Sequence, residues 1–322
     1  MTSFLDRALD AAVVPGFSRI GFALRSRIEH WVDIEAMPMT GRTVVITGPT
    51  SGLGAETSRM LVRAGAHVVL VGRNPAKCEA TAAELRALRA DAAVDVVCAE
   101  MGDLGSVAAA SREITRRFPR IDVLVHNAGA LLNERGLSPQ GIEQTVASHV
   151  VGPHLMTSIL RDSLRATHGR VVTVSSGGMY AAPLPQLQKG ESLEMAKYEG
   201  TRQYAIAKRA QVTLNSMWAQ HEPDVEFAAM HPGWADTPGV QESIPLFRSV
   251  TRPILRTAAQ GADTIAWLAA VKPLPHGSGF FWCDRQVRGV HKVSSTRRSD
   301  NPEARDALWN WCNETVRPFL TA

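Results

Sequence analysis

The chain has 322 residues, of which 45% are apolar and 20% charged, with a formal net charge of +4. This is globular composition, which excludes disorder, collagen or coiled coil as a description of the whole, and a chain of this size buries roughly 75% of its unfolded surface without staples. Cys78, Cys98, Cys283 and Cys312 form no CxxC pair, so neither a disulfide framework nor a thiolate zinc site is expected, and a cytoplasmic setting is.

Residues 1–40 stand apart. Phe17, Ile20, Leu24, Ile28 and Trp31 recur at spacings of three and four, with Arg19, Arg25 and Arg27 between them. That period predicts an amphipathic helix starting at Pro15-Gly16. Its apolar stripe needs a cover: the protein's own body, a second subunit in a homo-oligomer, or a lipid surface. Glu29, Asp33 and Glu35 oppose strong attraction to anionic lipid. At most weak, peripheral, salt-sensitive membrane contact through residues 17–31 is expected. The first residues are broken by Asp6, Arg7 and Asp10 and make a poor signal peptide. No apolar run approaches the ~18 residues of a transmembrane helix.

From Arg42 the pattern alternates. Strands are expected at Thr43–Thr47, His67–Val71, Val94–Cys98, Ile121–Val125, Arg170–Val174, Val225–Met230 and Gly279–Cys283. Helices are expected from the first turn to Arg63, then at Ala76–Arg89, Leu104–Arg117, about 139–164, about Tyr204–His221 and Ala258–Ala270. Short apolar strands alternating with helices imply crossovers and a buried parallel sheet. The expectation is an α/β, Rossmann-type doubly wound sheet of about seven strands over 41–284, with an arm (1–40) and a C-terminal extension (285–322). Two long stretches, 177–203 and 237–253, read as lids or binding loops.

Four constellations carry chemistry. Thr47-Gly48-Pro49-Thr50-Ser51-Gly52-Leu53-Gly54 follows a strand and opens a helix. There, free backbone N–H groups and the helix dipole can meet a dinucleotide pyrophosphate. At the end of the next strand, Gly72 cannot repel a 2′-phosphate and Arg73 offers a charged fork, which favours NADP(H) over NAD(H). Tyr204 and Lys208 share a helix face at i and i+4, and the ammonium is expected to lower the phenol pKa toward neutral. Ser175-Ser176 closes the fifth strand, where open sheets bind ligands.

In this order on such a sheet, the motifs resemble the short-chain dehydrogenase/reductase family over about 41–284. The resemblance assigns catalysis to Ser176, Tyr204 and Lys208. It assigns cofactor contacts to Thr47, Gly48, Ser51, Gly52, Leu53, Gly54, Arg73, Tyr204 and Lys208. Asp103-Leu104 looks like the pair that meets adenine, and His126-Asn127-Ala128-Gly129 like the family's NNAG, with Asn127, Ala128 and Gly129 at the cofactor. Pro232-Gly233, with Thr237 downstream, looks like the segment beside the nicotinamide amide. One departure is His149, which stands where the family carries a relay asparagine; imidazole can also donate and accept. Finer stretches, VSSGGM (174–179), HPGWADTPGV (231–240) and AQGADT (259–264), resemble one subgroup of the family.

The resemblance implies an NADP-dependent oxidoreductase acting on a carbonyl/alcohol pair. The alternative is an NADP-binding regulatory or scaffold protein with little turnover. Met230, Trp234, Val240, Ile244, Leu246, Phe247 and Ile254 either line an apolar pocket for a lipophilic small molecule or cover the core. No metal is expected, because the remaining histidines show no ligand spacing. Lys and Arg are too dispersed for a nucleic-acid partner. All the motifs lie after residue 46, so the arm is expected to be dispensable for chemistry.

Overall fold

The computed structural model describes residues 6, 9, 10, 12–188, 190–243, 248, 249 and 251–320. Its centre is a sheet of β1 (Thr43–Thr47), β2 (His67–Gly72), β3 (Val94–Cys98), β4 (Val123–His126), β5 (Arg170–Val174), β6 (Glu226–Met230), β7 (Phe280–Cys283) and β8 (Gln286–Val287), in the order β3-β2-β1-β4-β5-β6-β7-β8. All neighbours pair parallel except β7 and β8. The strands β1, β2, β4 and β5 are almost wholly buried, as expected where helices cover both faces. Neighbouring β1 and β4 feed connections to opposite flanks, and ligands bind at the carboxyl ends of such a switch point.

Two apolar layers flank the sheet. Before the arm is placed, the helices can be numbered α1 (Val13–Phe17), α2 (Arg19–Ile28), α3 (Gly52–Arg63), α4 (Pro75–Arg86), α5 (Leu104–Arg117), α6 (Gly152–Arg165), α7 (Gly200–His221), α8 (Ala258–Ala270) and α9 (Pro302–Leu320). Residues of α3, α4 and α8 pack on one face with Ile46, Leu70, Val172 and Met230. Residues of α5, α6, α7 and α9 pack on the other with Val45, Val69, Leu124 and Phe227. The C-terminal extension therefore belongs to the core: Ala304, Leu308, Cys312 and Val316 of α9 are buried. The eighth strand is added by the tight hairpin at Asp284-Arg285, both at positive φ.

Three departures from the sequence reading have physical causes. The helix expected from about 139 begins only at Gln144, because Glu143 caps the N–H groups of Thr145 and Val146. It passes through a π-helical turn, Ala147–Val151, before α6. The stretch 177–203 is pinned down instead of poised as a lid. Its Leu184 N–H donates to Ser299, Tyr180 donates to the Gly289 carbonyl and Tyr198 to the Leu132 carbonyl. Its last residues already belong to helix α7, which starts at Gly200 and so puts Tyr204 on its second turn.

The third departure is the arm. Over Val13–Ile28 it forms two helices broken at Ser18, not one, and its inward face is not the apolar stripe. Phe17 is buried, but Ile20 and Ile28 are exposed, while Gly21 and Arg25 point inward. The protein's own body thus covers the inward side.

Candidate active site

The glycine turn is built by close approach. Gly48 has φ +64, and a Cβ there would lie 2.8 Å from the Ala128 Cα. A Cβ on Gly54 would lie 2.2 Å from the Gly48 carbonyl oxygen and 2.5 Å from Asn127 Nδ2. Only glycine satisfies both positions. Asn127 stitches the turn to β4: its Nδ2 donates to the carbonyls of Thr47 (2.9 Å) and Gly48 (3.0 Å). The Thr47 hydroxyl accepts from the N–H groups of Asn127 and Ala128, both at 3.0 Å. Ser51 holds the N-cap position of α3 with no capping bond from its side chain. The first N–H groups of a helix have no intrahelical partner, so this turn presents donors toward the crevice. Leu53 turns the other way and packs on α8, where a Cβ on Gly261 would lie 2.6 Å from it.

Across the crevice, Gly52 (φ +53) faces Thr237: a Cβ on Gly52 would be 3.4 Å from the threonine's Cβ. The turn after β1 and the segment after β6 therefore meet. Pro232 and Gly233 begin that segment, with Gly233 at φ +72. Arg73 directly follows β2, with its side chain 80% exposed and a loose ion pair to Glu100 at 3.6 Å. Asp103 and Leu104 are not brought to the crevice in the same way. Asp103 caps α5 by accepting from the Gly105 N–H and also accepts from Gln140, and Leu104 is fully buried. Glu100, just past β3, is the acidic side chain beside Arg73. The sequence reading missed it, although an Asp before a helix is itself a capping signature.

The reacting groups come from β5, α7 and the π turn. Lys208 is buried, and its Nζ donates to the Val174 carbonyl at 2.8 Å while lying 5.3 Å from the centre of the Tyr204 ring. Burial pulls its pKa from 10.5 down to about 7. Tyr204 goes the other way. Burial raises the phenol pKa, and a hydrogen bond with Ser176 offsets this only in part. The expected lowering by Lys208 is thus not what the structure gives, because the ammonium sits over the ring and bonds to a carbonyl. Ser176 caps the turn Gly177–Tyr180, accepting from the Gly178 N–H at 3.3 Å. Ser175 faces inward, donating to the Lys208 carbonyl.

His149 packs edge-on to Tyr204, with ring centroids 5.5 Å apart. Its Nδ1 lies 2.9 Å from the Thr145 carbonyl, which can only accept, so Nδ1 carries the proton. Burial and the neighbouring Lys208 drive its pKa to about 3, so the ring is neutral and Nε2 is an acceptor. That Nε2 is buried without a partner, and a Cβ on Gly129 would lie 2.5 Å from it. His126, which replaces the first asparagine of the motif, is likewise neutral by burial and bonds Thr157.

Of the residues suggested as an apolar pocket, Met230 belongs to the core under β6 and Trp234 packs edge-on to Phe17. Ile254 is partly buried in a short turn. Ile244, Leu246 and Phe247 lie outside the described residues, as does the side chain of Val240. A cavity of about 410 Å³, lined by Glu143, Glu194, Trp311 and Glu314, contains none of the catalytic candidates. Among the described residues there is no group of His, Cys, Asp and Glu fit to hold a metal.

Comparison with known proteins agrees with this geometry. The family described as short chain dehydrogenase matches residues 42–186. Dehydrogenase/reductase SDR family member 12 of Bos taurus is 35% identical over 292 residues, covering 89% of this chain and 90% of that one. Retinol dehydrogenase 12 of Homo sapiens is 28% identical, over 84% of this chain and 85% of that one. A crystal structure of a protein from Mycobacterium Paratuberculosis superposes with a TM-score of 0.69 at 25% identity, covering 89% of this chain and 97% of that one. Taken with the glycine turn and the Ser176, Tyr204 and Lys208 cluster, these matches show that the chain belongs to the short-chain dehydrogenase/reductase family of oxidoreductases.

Proposed function

We propose that the chain is an NADP(H)-dependent oxidoreductase that interconverts a carbonyl and an alcohol on a lipophilic small molecule. The observation that carries this reading is the convergence of Ser176, Tyr204 and Lys208 beyond the carboxyl end of β5, together with a tightly packed glycine turn after β1 that opens a helix whose first N–H groups suit a phosphate. The cofactor, when bound, supplies the hydride. Thr47, Gly48, Ser51, Gly52, Leu53 and Gly54 form the turn for the pyrophosphate, with Asn127, Ala128 and Gly129 behind it. Pro232, Gly233 and Thr237 would flank the nicotinamide amide.

Ser176 and Tyr204 donate to the substrate oxygen. Tyr204 is the proton donor in the reductive direction, since burial keeps its phenol protonated. Lys208, charged below about pH 7, would hold the nicotinamide ribose and would stabilise the phenolate left after proton transfer. His149 Nε2, a buried acceptor without a partner, would enter the proton relay by accepting a hydrogen bond, where an asparagine amide could do either.

Arg73 supplies the preference for a 2′-phosphate. Its pair with Glu100 is exposed and worth at most about 1 kcal/mol, so a phosphate can recruit the guanidinium. Glu100, not Asp103, stands at the adenosine end. The lipophilic substrate class is supported by the relative named for retinol. No helix among the described residues is long and apolar enough to cross a membrane. Val14, Ile20, Ile28 and Val32 are exposed on the arm beside Arg19 and Arg27, which suits weak contact with lipid or with a second copy.

NADPH consumption against aldehydes and ketones of increasing chain length tests the reading. Turnover that rises with chain length supports it, and absence of turnover on the whole series contradicts it.

A further inference from the structure

The arm reaches the proposed nicotinamide end of the site. The Trp234 N–H donates to the Phe17 carbonyl at 2.8 Å. The Phe17 ring lies 4.4 Å from that of His231, centre to centre, and His231 Nδ1 accepts from the Gly233 N–H at 3.1 Å. On its other side Phe17 meets the residue after Ser176: a Cβ on Gly177 would sit 3.0 Å from the Phe17 ring. One arm side chain thus touches both segments that flank the reacting centre.

Arg256 ties these contacts together. Its side chain donates to the carbonyls of Pro232 (3.2 Å), Ser18 (3.2 Å) and Gly16 (3.1 Å). Its backbone N–H donates to the Trp234 carbonyl and its carbonyl accepts from Asp236. The guanidinium lies flat on Gly233, where a Cβ would be 2.5 Å away. Asp284 holds it bidentately at 2.5 and 2.9 Å. The same carboxylate accepts from Arg25 of the arm at 2.5 Å, and Arg25 also donates to Asp6 at 2.7 Å and to the Gly16 carbonyl at 2.9 Å. Arg288 closes the network on Asp6, with two bonds of 2.7 Å. All five charged side chains are buried. Burying so many charges is a poor route to stability alone, since apolar side chains of similar volume do as well or better.

We infer that the N-terminal arm is a positioning element of the cofactor site: Arg25 locks the arm to the Asp284–Arg256 clamp, and the clamp with Phe17 holds the Pro232–Trp234 loop in the shape that receives the nicotinamide end. The inference rests on the cofactor reading above. It replaces the expectation that the arm is dispensable for chemistry.

The test uses the full chain with Arg25→Leu, Arg25→Lys and Phe17→Ala. Arg25→Leu leaves Asp284 with Arg256 and Asp6 with Arg288, and Phe17→Ala leaves every ion pair intact. Folding is checked by circular dichroism, and Phe17→Ala answers if Arg25→Leu does not fold. Calorimetry measures affinity for NADPH and for 2′-phospho-ADP-ribose, which lacks the nicotinamide. The expected result is a loss of about ten-fold for NADPH, with 2′-phospho-ADP-ribose nearly unchanged and Arg25→Lys partly restoring NADPH affinity. Unchanged NADPH affinity in the folded variants overturns the inference, as do equal losses for both ligands. A parent protein that binds neither ligand removes the cofactor reading itself, and the inference with it.

Discussion

Lys208→Met should stabilise the cofactor-free protein while destroying its activity. Lys208 is buried, and its pKa falls from 10.5 to about 7. The unfolded chain binds the proton below about 10.5 and the folded chain only below about 7. Above 10.5 both forms are neutral and there is no penalty. Stability is lost as pH falls between those values and then levels off, since both forms are charged. At about 1.4 kcal/mol per decade, the full window is worth about 5 kcal/mol. Methionine fills similar volume without charge, but it forfeits the bond to the Val174 carbonyl, worth about 1 kcal/mol. Imperfect packing takes about 1 kcal/mol more. The net expectation is about 3 kcal/mol of added stability at pH 7, shrinking as pH rises toward 10. Urea unfolding of both proteins across pH 7–10 measures it. A variant that is less stable at pH 7, or a difference that does not change with pH, refutes the reasoning.

Three further outcomes follow from the site. The parent should bind NADPH at least about ten-fold more tightly than NADH, and Arg73→Ala should erode the ratio; equal affinities in the parent would count against Arg73. Reductive kcat/KM should fall about ten-fold per pH unit above about 7, as Lys208 loses its proton, and Lys208→Arg should move that limb upward. His149→Asn adds a donor where Nε2 only accepts, so turnover should change while NADPH affinity holds. A collapse of the thermal transition in that variant would show His149 to be mainly a packing group against Gly129 and Tyr204.

The doubly wound sheet was legible because its signals are local. Runs such as TVVIT and HVVLV are apolar and β-branched, and the glycines after β1 mark a turn that only close backbone approach explains. Tyr204 and Lys208 are legible as a pair from their i, i+4 spacing and Ser176 from its place at the end of the fifth strand, while their catalytic roles rest on the family resemblance. The arm was not legible. Hydropathy puts Ile20 and Ile28 on a stripe that needs some cover, yet the side that meets the body carries Arg25, whose partner Asp284 lies 259 residues away. No local pattern reports a charge neutralised at that separation. The phenol pKa was misjudged for a related reason: the i, i+4 spacing shows that Lys208 is near, but not that burial acts on both groups and that Val174 takes the ammonium. Asp103 was chosen for its Asp-Leu pattern, and its capping bond to Gly105 is an equally local reading that competes with it.

The central claim is that Tyr204 gives a proton to a carbonyl oxygen whose carbon would take hydride from a bound nicotinamide. It is tested most directly by following deuterium from NADPH carrying deuterium at both C4 positions into the product alcohol, in the parent and in Tyr204→Phe. The account predicts deuterium on the carbinol carbon with the parent. It predicts a loss of about a hundred-fold or more in turnover with Tyr204→Phe, while NADPH affinity stays nearly unchanged. Full turnover by Tyr204→Phe, or product alcohol without deuterium, would contradict it.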